Sequence, residues 1–326
     1  MTEETATVSH LSVVMTTHQR EMMTTAGETG VTSSSPSGVE LYFAYCVVVI
    51  GVIGAAANGL VLYALVASKQ HKKHELIFNQ NAIDLYTCLF LVITYGLKFV
   101  NVHLTGSLGY WLCMLIFSQS LFSVGLYASW INLMFISIER YLKVVHHVWS
   151  KAHLRKWMTY AAISCTWISG IIHEMVLVFK TSAVIDGVCY GYVIIDPKAR
   201  EGVSIYYVLF TYVFVLSVSI FCYMSILMVI RRQARVMASH DAGGRLNAAQ
   251  AQRNKTQANV IKTMILVCAF YAIAWLPEKI YILLMGQDLS LNLMDTGYYV
   301  GLFFGCFYIC TNPAIVNVKR RLKAVR

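Results

Sequence analysis

Ionisable and amide side chains are rare inside the apolar stretches of this 326-residue chain, so those that occur there are the first candidates for chemistry. Asp84 closes the run Asn79-Gln80-Asn81-Ala82-Ile83-Asp84, and a buried carboxylate needs a partner, a proton or a neighbouring cation. Ser129 and Asn312 could join it as oxygen ligands of a small cation. With Asn58, the same side chains could instead form a hydrogen-bonded cluster joining the first, second and seventh apolar segments, and both readings stand. Farther along, Glu139-Arg140-Tyr141 places opposite charges side by side. Such a pair can hold itself at rest and offer Arg140 to a partner on release, whereas an arginine snorkelling to a membrane interface is the plainer alternative.

A third group sits toward the other ends of the apolar segments. Lys98, His173, Glu174, Glu278 and Lys279 bring charge, Phe122 bulk, and Tyr206, Tyr207, Tyr212, Tyr281, Tyr298 and Tyr299 rings and hydroxyls. Converging charges and aromatics in a concave bundle are what a ligand site requires. Internal pairing, of Glu174 or Glu278 with Lys98 or Lys279, is the alternative. Two of the chain's four prolines also lie in apolar surroundings, in Trp275-Leu276-Pro277 and Asn312-Pro313. A proline inside a helix removes a hydrogen bond and kinks it, costing about 3 kcal/mol or more in a soluble setting.

The elements that must position these residues follow from composition. The chain is 57% hydrophobic and 13% charged, with a mean hydropathy of +0.59. Soluble domains carry about 25% charged residues, so this is a membrane protein. A bilayer-crossing helix needs about 20 apolar residues, and seven segments qualify: 41–68, 76–101, 110–143, 154–180, 203–232, 257–286 and 294–317. The expected fold is an all-α bundle of seven transmembrane helices (41–317), preceded by a disordered N-terminus (1–40) and followed by a short amphipathic helix on the membrane surface (318–326).

Lys69, Lys72 and Lys73, then Lys143, Lys151, Arg155 and Lys156, then Arg231, Arg232, Arg235, Arg245, Arg253 and Lys255, and finally Lys319 to Arg326 fall in alternate gaps. They therefore share the cytoplasmic side, and the N-terminus lies outside. The net charge of +10 comes in short runs between apolar segments, which excludes nucleic-acid binding. Most of the nine cysteines lie within spans; Cys113 and Cys189 both face the oxidising side and are candidates for a disulfide. No internal repeat is present of the kind common in transporters.

Taken in order, Asn58, Asp84, Glu139-Arg140-Tyr141, Trp167, Tyr223, Trp275-Leu276-Pro277 and Asn312-Pro313 resemble a rhodopsin-like (class A) G-protein-coupled receptor, over residues 41–326. The resemblance implies that Arg140 engages a heterotrimeric G protein, restrained beforehand by Glu139. It makes Trp275 a toggle below the ligand pocket, with Tyr271 above it, and Pro277 the kink about which span six swings outward. It makes Asp84, Ser129 and Asn312 an allosteric sodium site, and Cys113–Cys189 a disulfide between span three and the second outer loop. It places the chain in the plasma membrane as a multi-pass protein.

Some features depart from the family. Val316 replaces the tyrosine that ends the seventh-span motif, so Tyr223 loses its usual partner. Tyr271 stands for Phe and Ala274 for Cys, spans four and five lack prolines, and Cys113 precedes Arg140 by 27 positions, two more than usual.

The ligand is bounded mainly by exclusion. Leu112 to Val124 contains no carboxylate, which removes the amine anchor, and no lysine precedes Asn312-Pro313 in span seven, which removes the retinal attachment site. A peptide or small polar molecule remains. No zinc-ligand pair or phosphate loop stands out, so an enzyme is not expected. A proton- or ion-coupled transporter using Asp84, Glu174 and Glu278 is the alternative.

Overall fold

The computed structural model describes residues 31–32, 38–72, 74–100, 103–194, 196–240, 248–287, 291 and 296–324, with the side chains of 31–32, 234–240, 248–260, 263–264 and 311–324 outside that description. The spans are Gly38–Ala67; Glu75–Gly96, extended by a 3-10 turn over Leu97–Phe99; Gly106–Val145; Lys156–Thr181; Pro197–His240; Ala248–Gln287; and Thr296–Ala324. Among the described residues six helices are long and apolar enough to cross a bilayer, and the seventh is apolar over Thr296–Cys310. Residues 318–324, expected as part of a surface helix, continue the seventh helix without a break.

The third span is the axis. Its most apolar window is 78% buried, against 22% for the fourth span, whose Ile168, Ile172 and Val176 face outward. It packs on the second, fourth and fifth spans, while the first packs on the second and seventh, and the sixth on the seventh. Close approach rests on small residues. A Cβ on Gly170 would stand 2.8 Å from the Val124 carbonyl, and one on Gly305 2.6 Å from the Trp275 ring.

The third span is not one regular helix. A π-helical turn over Cys113–Phe117 and a left-handed Gln119 (φ 62°) separate Gly106–Leu112 from Ser120–Val145. The extra residues between Cys113 and Arg140 fall where the helix widens into this under-wound π turn. Ser118 and Ser120 hydroxyls both donate to the Met114 carbonyl, and Gln119 Oε1 accepts from Tyr95 at 3.1 Å.

The fifth span begins at Pro197 rather than at 203. Asp196 caps it, its carboxylate accepting from the Lys198 and Ala199 amides, with Pro197 in the first turn. A second π turn, Leu209–Phe214, lies within this span.

Between the fourth and fifth spans, β2 (Ala183–Ile185) and β3 (Val188–Gly191) form a hairpin about Asp186-Gly187, both at positive φ, the geometry an Asp-Gly pair favours. β1 (Val31–Thr32) adds to its edge, Val31 opposite Gly191. This corrects the expected disorder of 1–40 in part: Val31–Thr32 is a strand and Gly38–Glu40 is helical, while the remaining residues of that segment lie outside the described ones. Cys113 and Cys189 are bonded, Cα atoms 5.4 Å apart, tying β3 to the head of the third span.

Candidate functional site

At the end of the bundle closed by the disulfide lies a partly open cavity of about 130 Å³. Its polar wall is Glu174, Tyr192, Arg200, Tyr207, Glu278 and Tyr298, and Leu126, Leu177, Val203, Ile282 and Met285 supply apolar surface. Of the expected ligand residues, Glu174, Tyr207, Glu278 and Tyr298 line it directly. Lys279, 1% exposed, sits just behind: Nζ lies 2.9 Å from Glu278 Oε2 and donates to Tyr207 Oη at 2.8 Å, while Tyr207 donates to Glu278 Oε1 at 3.2 Å. The same ammonium lies over the rings of Tyr207 (4.0 Å), Trp130 (4.2 Å) and Trp275 (5.2 Å). Glu174 accepts a hydrogen bond from Tyr192, the residue that follows β3. Burial, reinforced by that carboxylate, pushes the Tyr192 phenol well above its usual range, so it remains a donor.

The other expected ligand residues do not line the cavity. Lys98 pairs instead with the buried Glu40 at the head of the first span. Phe122 belongs to the apolar core. His173 is stacked among Tyr127, Tyr206 and Phe210. Tyr212 donates to the Ala272 carbonyl at 2.6 Å, bridging the fifth and sixth spans, and Tyr281 packs beside Tyr298. Arg200 is the residue that hydropathy missed, because it falls before the apolar window that marks the span. The Asp196-Pro197 helix start would have found it, since Arg200, Val203, Ser204 and Tyr207 then share one helical face.

Below the cavity, Trp275 meets Trp130 edge-to-face at 5.1 Å, and Pro277 stands inside the sixth helix immediately before Glu278. Tyr271 donates to the Thr211 carbonyl at 2.6 Å, within the π turn of the fifth span. The cavity wall and the aromatic layer are thus joined through one ion pair. Asn312 and Pro313 lie in helical backbone, and their side chains are outside the described residues.

Deeper, a directed chain of hydrogen bonds ends on Asp84. An indole N–H only donates, so Trp167 Nε1 fixes the Asn79 amide through its oxygen at 3.2 Å. Asn79 Nδ2 then donates to Asn132 Oδ1 (2.9 Å), and Asn132 Nδ2 donates to both the Leu76 carbonyl (3.0 Å) and Gln80 Oε1 (2.8 Å). That leaves Gln80 Nε2 to donate to Ser129 Oγ (2.6 Å) and Asp84 Oδ1 (3.0 Å), while Ser129 donates to Asp84 Oδ1 at 2.9 Å. A sodium ion needs inward-facing oxygen lone pairs, and here the Gln80 amide hydrogens address the two oxygens expected to hold it. The described side chains, so arranged, do not fit that ion; Asn312 adds nothing described to the test.

At the opposite end, Glu139 pairs with Lys143 one turn on, not with Arg140. The expected Glu139–Arg140 restraint is not what the structure shows, because the i,i+4 lysine takes the Glu139 carboxylate. Tyr141 Oη lies 3.1 Å from His146 Nε2. Tyr223 is buried and accepts from Ser137 Oγ at 3.3 Å, while the side chain of Val316 lies outside the described residues.

Residues 57–315 match the model of the 7 transmembrane receptor (rhodopsin family). The chain is 24% identical over 300 residues to the allatostatin-A receptor of Bombyx mori, covering 85% of this chain and 74% of that receptor. It is 23% identical over 286 residues to the substance-K receptor of Homo sapiens (85% and 69% covered), and 23% identical over 282 residues to the type-1 angiotensin II receptor of Gallus gallus (81% and 73%).

Proposed function

The chain belongs to the rhodopsin family of seven-transmembrane receptors, a multi-pass G-protein-coupled receptor and not an enzyme, and from that premise we propose how it signals. Its ligand is a peptide taken up at the disulfide end, which faces outward, and its output is activation of a heterotrimeric G protein at the other. Three things support this: relatives are named as receptors for allatostatin-A, substance-K and angiotensin II, the cavity carries several charges, and the basic residues Lys69, Lys72, Arg155, Lys156, Arg231 and Arg232 gather at the other end. The transporter alternative is not supported, because the family and these relatives are receptors.

The observation that carries the reading is Lys279. Its ammonium is held by Glu278 in the cavity wall and lies over Trp130 and Trp275. A ligand that draws on Glu278 disturbs the ion pair, and with it the contact that seats Trp275 against the third span. Pro277 has already broken the helix ladder there, so the inner half of the sixth span swings at low cost. Arg140 is then the cation offered to the G protein. The test is nucleotide exchange on a panel of G proteins, without ligand and against a peptide library. Arg140→Ala should abolish exchange while surface level holds; unchanged exchange in that variant would refute the mechanism.

A further inference from the structure

We infer that Arg200 is an anion subsite of the cavity and that the ligand presents a carboxylate to it; the inference rests on the cavity being the ligand site. Arg200 is 5% exposed and lines the cavity, yet its Nε and Nη1 have no hydrogen-bond partner and it forms no ion pair among the described residues. A guanidinium keeps its charge inside a protein, so it cannot escape the cost of burial by losing a proton. Breaking a buried ion pair, or never forming one, is strongly unfavourable. The fold nevertheless holds the group in place. Asp196 and Pro197 fix the helix start one turn earlier, and the Arg200 amide donates to the Asp196 carbonyl at 3.0 Å.

The carboxylates of the cavity already have donors. Glu278 is matched by Lys279 and Tyr207, and Glu174 is held by Tyr192. The cationic charge of Lys279 is used up in the same way, between Glu278 and three aromatic rings. Among the described residues, Arg200 is therefore the charge of this cavity left without a complement, and we assign that place to the ligand. A planar guanidinium with open N–H groups matches a carboxylate better than any neutral acceptor. The apolar surface beside it, from Val203, Ile282 and Met285, takes the carbon skeleton that carries the acid. An acidic side chain or C-terminus of a peptide, and a free organic acid, share this chemistry.

The test uses the full-length receptor in nanodiscs and follows its unfolding temperature. The probes are sodium glutarate against sodium chloride at equal ionic strength, and a set of short acetylated peptides, each made with a free C-terminal carboxylate and as the amide. The expected result is that carboxylate probes raise the unfolding temperature of the natural chain, that Arg200→Met abolishes the rise, and that Arg200→Lys keeps part of it. Peptide acids acting where glutarate does not would identify a peptide source, and glutarate acting alone a small organic acid. Amides that stabilise as well as acids would overturn the inference. So would a rise that persists in Arg200→Met, or no rise with any carboxylate. A chain that binds carboxylates through Arg200 but activates no G protein would sink the coupling reading and leave the anion subsite standing.

Discussion

The bundle holds two polar clusters in the same apolar setting, and they are finished differently. Around Asp84, the indole of Trp167 sets the direction of each amide in turn, and Asn79, Asn132, Gln80 and Ser129 each give and receive. In the cavity, one carboxylate is ion-paired and another is held by a phenol, but among the described residues a buried guanidinium is left with open donors. A saturated network rigidifies the helices it joins, and its cost is met inside the chain. An unsaturated one stays unfavourable until something else arrives. The difference assigns the first cluster to holding the bundle and the second to sensing its surroundings.

Four changes would break or sharpen that comparison. Removing Glu278 as Glu278→Ala should destabilise the receptor most, by about 3–5 kcal/mol, since it strands the buried Lys279 charge. The double change Glu278→Gln with Lys279→Met should recover much of the loss in thermal unfolding. Asn132→Leu should follow, at about 3 kcal/mol, because it leaves Asn79 Nδ2 and Gln80 Oε1 without the partners they have on Asn132.

Sodium comes third. Replacing it by N-methylglucamine should alter basal nucleotide exchange of the natural chain by less than about twofold, roughly 0.4 kcal/mol. Gln80→Leu, which clears the amide from Asp84 and Ser129, should make exchange fall as sodium rises. A strong sodium response in the natural chain would show that the Gln80 amide yields to the ion. The smallest effect belongs to Lys143→Ala, at about 0.5 kcal/mol or less, because that pair is partly exposed. A large rise in basal exchange in Lys143→Ala would mean that Glu139 restrains the switch through Lys143.

Much of the fold was legible in the chain. Hydropathy marked the spans, the two cysteines facing the oxidising side marked the disulfide, and Asp84 with Ser129 announced a polar cluster. What was not legible depended on geometry or on distant partners. The third-span irregularity left only a spacing excess as a trace, since a π turn has no residue signature. Lys98 met Glu40, 58 residues away, and no local pattern encodes that. The direction of the amide chain follows from Trp167 only once the distances are known. Glu139–Lys143 and the Asp186-Gly187 hairpin were readable, from i,i+4 spacing and from turn chemistry respectively, as was the early start of the fifth helix at Asp196-Pro197.

The contrast between the two clusters is tested most directly by comparing the unfolding temperatures of Arg200→Met and Asn132→Leu, both free of ligand and in the same nanodisc preparation. Asn132→Leu should fall by more than about 6 °C, at 2–4 °C per kcal/mol, while Arg200→Met stays level or rises because it removes an uncompensated buried charge. If both fall together, Arg200 is a structural residue and the cavity holds no charge kept for a ligand.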